Sequence, residues 1–110
     1  MSDKLLDSNE INKFAICVFD EYARANAKFP KTTRLLGALM EEVGELAEAL
    51  LKIDECGDDP KRVYDEAVQV AATVMRLAIQ GEPDYNYNGV NGEVQEQGSL
   101  TIPLSEYRYF

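Results

Sequence analysis

The chain has 110 residues, with 20 acidic side chains against 11 basic ones and a net charge of −9. That length predicts one small domain, whose limited core makes self-association a natural remedy. The acidity argues against nucleic acids and anionic membranes as partners, and the lack of any histidine excludes a His base, a His-containing triad and a His-ligated metal.

Cys17 and Cys56 have no CxxC spacing, no secretory signal is evident, and no apolar run approaches the ~18 residues of a membrane span. A reduced, cytoplasmic protein is expected. Ser8 is suited to cap a first helix over roughly residues 9–27, in which Ile11, Phe14, Ala15, Val18, Phe19 and Tyr22 recur at i, i+3, i+4 and i+7. Pro30 stops it, and Thr32 or Thr33 is a candidate cap for a second helix running to about Lys52. Asp59 is placed to cap a third helix with Pro60 in its first turn, and Gly81 is placed to end it after Gln80. Beyond Gly81 the helical period is lost. Two Asn-Gly pairs and two prolines predict turns, a short hairpin or an extended arm over 82–110, held against the helices or a neighbouring subunit. The expected architecture is all-α, a helical domain over 1–81 followed by an irregular, turn-rich C-terminal arm.

The second helix carries the stretch "LMEEVGELAEALL". At ~100° per residue, Leu35, Leu39, Val43, Leu46 and Leu50 share an apolar face. Glu41, Glu45 and Glu48 lie opposite, and Glu42 stands at the apolar boundary. Such a run is either a solvated helix back or one wall of a cation site. Like charges at i, i+3 and i, i+4 cost a few tenths of a kcal/mol each without counter-charge, and only Lys52 is spaced to offset Glu48. The third helix is apolar nearly all round, yet Arg62, Glu66, Gln69, Thr73, Arg76 and Gln80 form a narrow stripe at spacings of 4, 3, 4, 3 and 4. That stripe either faces water or faces the acidic edge of the second helix. In the second case Glu42, Glu45 and Glu66 converge with Gln69 beside them, an oxygen set suited to Mg²⁺ or Mn²⁺.

"EEVGE" and, about twenty residues later, the ExxQ of Glu66-Ala-Val-Gln69 resemble the ExxE…ExxD signature of the all-α NTP pyrophosphatases, the MazG-like and dimeric dUTPase-like group. The resemblance covers about residues 8–81, with Gln69 in place of the last Asp. It implies a MazG-like helical bundle that hydrolyses nucleoside triphosphates to the monophosphate and pyrophosphate. Mg²⁺ would be held by Glu42, Glu45, Glu66 and Gln69, with Mn²⁺ as an alternative, and Glu41 or Glu45 would orient the attacking water. Arg62 would bind phosphate, with Lys31 and Arg34 as weaker candidates on charge and position. Thr73 and Arg76 would line the site or an interface, and the assembly would be a homodimer or homotetramer. Phe14 and Tyr22 suit a core role better than stacking on a base. The alternatives are a non-catalytic MazG-like nucleotide-binding or oligomerisation module, motivated by Gln69 and the aromatic tail, and a purely structural helical oligomer.

Overall fold

The computed structural model describes residues 8–30 and 34–90, and shows three α-helices, a short 3₁₀ turn and no strand among them. We label the helices α1 (Ser8–Lys28), α2 (Leu35–Cys56) and α3 (Lys61–Gln80); the 3₁₀ turn spans Pro83–Tyr85. Lys31, Thr32, Thr33 and the arm from residue 91 onward lie outside the described residues. No described helix is long and apolar enough to cross a membrane.

α3 is the central element. It packs against α1 on one side and α2 on the other, while α1 and α2 do not pack on each other. The short connector after α2 forces α2 and α3 antiparallel. α1 runs parallel to α3, since Phe14 meets Tyr64 near one end and Asn26 meets Gln80 at the other. The α1–α3 core holds Val18, Val68 and Ala72, with Phe14, Ala71 and Met75 packed around them. Phe14 and Tyr64 meet edge to face, with ring centroids 5.5 Å apart. Phe14 is therefore a packing residue.

Both ends of the α2–α3 connector follow local chemistry. α2 runs to Cys56, about one turn beyond Lys52, and Gly57 stops it in the left-handed conformation with its N–H bonded to the Ile53 carbonyl. The Asp59 carboxylate accepts the Lys61 backbone N–H at 2.9 Å, and Pro60 already has helical angles. Asp59→Ala is expected to cost about 1 kcal/mol, measured by urea unfolding.

The packed face of α2 keeps Leu35, Leu39 and Leu46 of the expected series and departs from it at Val43 and Leu50. Leu35 and Ala49 are buried and Leu46 is partly buried, but Val43 and Leu50 are exposed, with Met40 and Leu51 beside them. The buried stripe passes through Leu35, Ala38, Glu42 and Ala49, so Glu42 points at α3 instead of marking an edge. On α1, likewise, Ile11 and Phe19 of the apolar series are exposed while Phe14 and Val18 turn inward. Because α1 packs only on α3 among the described residues, two of the six residues in its apolar series are left exposed.

The inward stripe of α3 agrees with its spacing. Arg62, Glu66, Gln69, Thr73 and Gln80 are partly buried and Arg76 is buried, whereas Lys61, Tyr64, Asp65, Val74 and Ala78 face water. After α3 the chain turns back on itself. Glu82 and Tyr87 exchange backbone hydrogen bonds of 2.7 and 3.2 Å around the 3₁₀ turn, and the Tyr87 hydroxyl donates to the Ala78 carbonyl at 2.7 Å. Residues 82–90 thus belong with the helices.

Candidate metal centre

Glu42 and Glu45 leave α2 one turn apart, and Glu66 projects from the facing turn of α3. One carboxylate oxygen from each lies within 4.8 Å of the other two. Three oxygens within that limit surround a point at most about 2.8 Å from each, so a contraction of a few tenths of an ångström reaches Ca²⁺ ligation distances and one of about 0.7 Å reaches those of Mg²⁺. Among the described residues none of the three carboxylates forms an ion pair. The nearby cation, Arg62, is held instead by Glu48 at 3.5 Å and Asp58 at 3.8 Å, although it attracts Glu66 from there. Glu48 is also paired with Lys52 at 3.8 Å. It therefore stands outside the cluster as a compensated surface charge.

The crowding has an electrostatic signature. Glu42 Oε1 is shut off from water and has no hydrogen-bond partner. Burial, and then the charges of Glu45, Glu66 and Glu41, push the Glu42 carboxyl up to about 7. Burial and Glu45 also raise the Glu66 pKa. Near neutral pH Glu42 so placed takes up a proton unless a cation takes the proton's place. The residue types and the orphaned oxygen suit a hard dication, with Glu42, Glu45 and Glu66 as its holders.

Next to this cluster lies a cleft of about 470 Å³, walled by α1 and α2 with α3 as its floor. Its size is that of a small-molecule site. Glu41, Glu42 and Gln69 line the acidic end; Phe29, Leu35 and Ala72 give it an apolar body. Thr73 and Arg76 also line it. The Thr73 hydroxyl donates to the Gln69 carbonyl at 2.8 Å, within its own helix. Arg76 donates to the Phe29 carbonyl at 2.6 Å, tying α3 to the end of α1, and burial lowers its pKa. Arg34 sits away from the cluster at the start of α2, in the left-handed conformation.

Three residues of this region were not singled out from the sequence. Glu21 and Arg24 form an ion pair on the cleft wall supplied by α1, with Arg24 Nε donating to Glu21 at 2.9 Å. Arg24, and to a lesser degree the Gln69 side chain, hold the Glu21 carboxyl below its usual range. The i, i+3 spacing of Glu21 and Arg24 was visible, but their place opposite Glu42 is a property of the packing. Glu82 is buried, at 3% exposure, and its carboxylate accepts the backbone N–H groups of Leu36 at 2.8 Å and Arg34 at 3.1 Å. No local pattern announces a helix cap delivered from 46 residues away.

In comparisons with known proteins, the chain matches no family model, no curated protein and no solved structure.

Proposed function

We propose that this protein is a metal-dependent nucleoside triphosphate pyrophosphohydrolase of the MazG-like kind, converting a nucleoside triphosphate to the monophosphate and pyrophosphate. The observation that carries the reading is the convergence of Glu42, Glu45 and Glu66 beside a ligand-sized cleft, with the Glu42 oxygen buried and unpartnered. The resemblance of "EEVGE" and Glu66-Ala-Val-Gln69 to the ExxE…ExxD signature supplies the reaction class.

In this reading Glu42, Glu45 and Glu66 hold Mg²⁺, with Mn²⁺ as an alternative, and Gln69 adds a neutral oxygen. The bound ion would polarise a phosphoryl oxygen and offset its charge. Glu41 lines the cleft next to Glu42 and would orient the attacking water and accept its proton. The apolar body of the cleft, with Phe29 and Leu35, suits the nucleoside. Arg76 on the floor and Arg24 on the wall supply donors for its polar groups, and the Thr73 hydroxyl oxygen an acceptor. Arg62, on the far side of the cluster from that body, would meet the departing phosphates once released from Glu48. The exposed Met40, Val43, Leu50 and Leu51 on α2 favour a homodimer or homotetramer, because a patch of that kind is seldom left to water.

The test is incubation with a panel of ribo- and deoxyribonucleoside triphosphates in Mg²⁺ and then Mn²⁺, with monophosphate and pyrophosphate measured together. Both products are expected, and Glu45→Ala or Glu66→Ala should lower turnover at least 100-fold. Silence across the panel for wild type and for Gln69→Asp would sink the enzymatic reading. The second reading, a non-catalytic nucleotide-binding module, is favoured by Gln69, which lowers the ligand charge at the site. It predicts nucleotide binding without turnover.

A further inference from the structure

We infer that Glu82 is a positioning residue that clasps the open end of the α2–α3 hairpin and so holds the three cluster carboxylates at binding distance; the inference rests on the metal-site reading above. An antiparallel helical pair joined by one short connector is closed at that end only. Here the connector is residues 57–60, and the opposite end consists of the start of α2 and the end of α3. Among the described residues, Glu82 spans that second end. Glu82, just beyond α3, is buried, and its two oxygens accept separate backbone N–H groups at the start of α2. Those N–H groups have no partner within the helix, and a carboxylate there also meets the positive end of the helix dipole. Arg34, which donates one of them, is held in the left-handed conformation, so its N–H points away from the helix and toward Glu82.

The clasp is itself rigidly mounted. Glu82 pairs with Tyr87 through both of its backbone groups, and Tyr87 is anchored to Ala78 of α3. Its position is thus fixed relative to the helix that carries Glu66. α2 carries Glu42 and Glu45 two to three turns from the capped end. Each places a carboxylate oxygen within 4.8 Å of one on Glu66, so their like charges repel across the gap whenever no cation is present. That repulsion works against the α2–α3 packing, and among the described residues α2 packs on no second helix. The clasp opposes the splaying and keeps the site assembled before the ion arrives.

The experiment is Mn²⁺ titration by calorimetry on the whole chain for wild type, Glu82→Ala, Glu82→Gln and Val18→Ala. Val18 lies in the α1–α3 core and serves as a control for general loss of stability. Glu82→Ala is expected to weaken Mn²⁺ binding about 10- to 100-fold, the usual range for a residue that orients metal ligands. Glu82→Gln, which keeps one acceptor oxygen, should fall between it and wild type. Val18→Ala should lower the thermal midpoint but leave Mn²⁺ affinity within about twofold of wild type, since it lies outside the α2–α3 pair. If Glu82→Ala fails to fold, the ordering of Glu82→Gln below Val18→Ala decides the matter. Wild-type affinity in the Glu82 variants, or an equal loss in Val18→Ala, overturns the positioning role while leaving the metal site intact. No Mn²⁺ binding by wild type overturns the metal-site reading itself, and this inference with it.

Discussion

Glu42→Gln is expected to raise the thermal midpoint of the metal-free protein at pH 8 while abolishing divalent-cation binding. The Glu42 carboxyl titrates at about 7 in the fold against 4.5 for an unperturbed glutamate, chiefly because it is buried and then because Glu45, Glu66 and Glu41 surround it. Between those two pH values the folded chain holds a proton that the unfolded chain has released. Stability is therefore fully present below about pH 4.5, falls as pH rises toward 7, and levels off once Glu42 is ionised in both states. Each pH unit separating the folded from the unfolded titration corresponds to about 1.4 kcal/mol, and partial exposure of the side chain screens part of it, leaving about 1–3 kcal/mol. In a domain this small that is about 5 °C or more in midpoint. The neutral amide removes the charge that causes the penalty, so the gain should appear at pH 8 and vanish at pH 4. The same linkage makes cation binding release a proton. Mn²⁺ affinity of the wild type should rise close to tenfold per pH unit up to about 7 and flatten above it. Thermal scans of both proteins in EDTA at pH 4, 6 and 8, with Mn²⁺ titrations of wild type at the same values, decide it. An unchanged or lowered midpoint for Glu42→Gln at pH 8 would show that the carboxylates are not in conflict.

Gly81→Ala is expected to destabilise the fold by about 3 kcal/mol or more. Gly81 ends α3 at φ 90° and ψ −179°, a region closed to residues with a side chain. A Cβ there would also overlap the Tyr87 carbonyl oxygen and the backbone at Asn88 and Gly89. Those neighbours cannot withdraw, since they are backbone atoms tied to Glu82 and α3. Gly89, at φ 76°, presents the reciprocal problem, because its Cβ would run into Ile79, Gln80 and Gly81. The two glycines form one close backbone crossing, so Gly89→Ala should cost a similar amount and the double variant much less than the sum. Urea unfolding of the three variants checks both points. A loss under about 1 kcal/mol for Gly81→Ala would mean that the turn does not pack as described.

A great deal of this protein was legible locally. Three helices, the Asp59 cap with Pro60 behind it and the Gly81 stop all follow from forces acting within one turn of the chain. The stripe from Arg62 to Gln80 could be read as well, because 3.6-residue periodicity places those residues on one face wherever the helix goes. Which face of each helix would be covered was less legible. Val43 and Leu50 look like core residues in an isolated α2 and are exposed in the fold, because α2 has a single helical neighbour among the described residues. Ile11 and Phe19 on α1 mislead for the same reason. Hydrophobic periodicity reports that a face is apolar, and carries no information about how many partners will arrive to bury it.

The candidate site divides along the same line. Sequence spacing alone determined that Glu42 and Glu45 stand one turn apart and that Glu66 belongs to a single polar stripe, since helix geometry is set by the backbone. It left open whether the acidic edge meets water or α3. Only the tertiary structure decided that, by running α2 and α3 antiparallel in a register that places Glu42 and Glu45 against Glu66. It also turned Glu21 and Arg24 of α1 into the opposite wall of the cleft, and used Glu82 to cap a helix that begins nearly fifty residues earlier. These are contacts between distant segments. Their energies come from burial, shared charge and unpaired backbone groups that exist only once the helices have met.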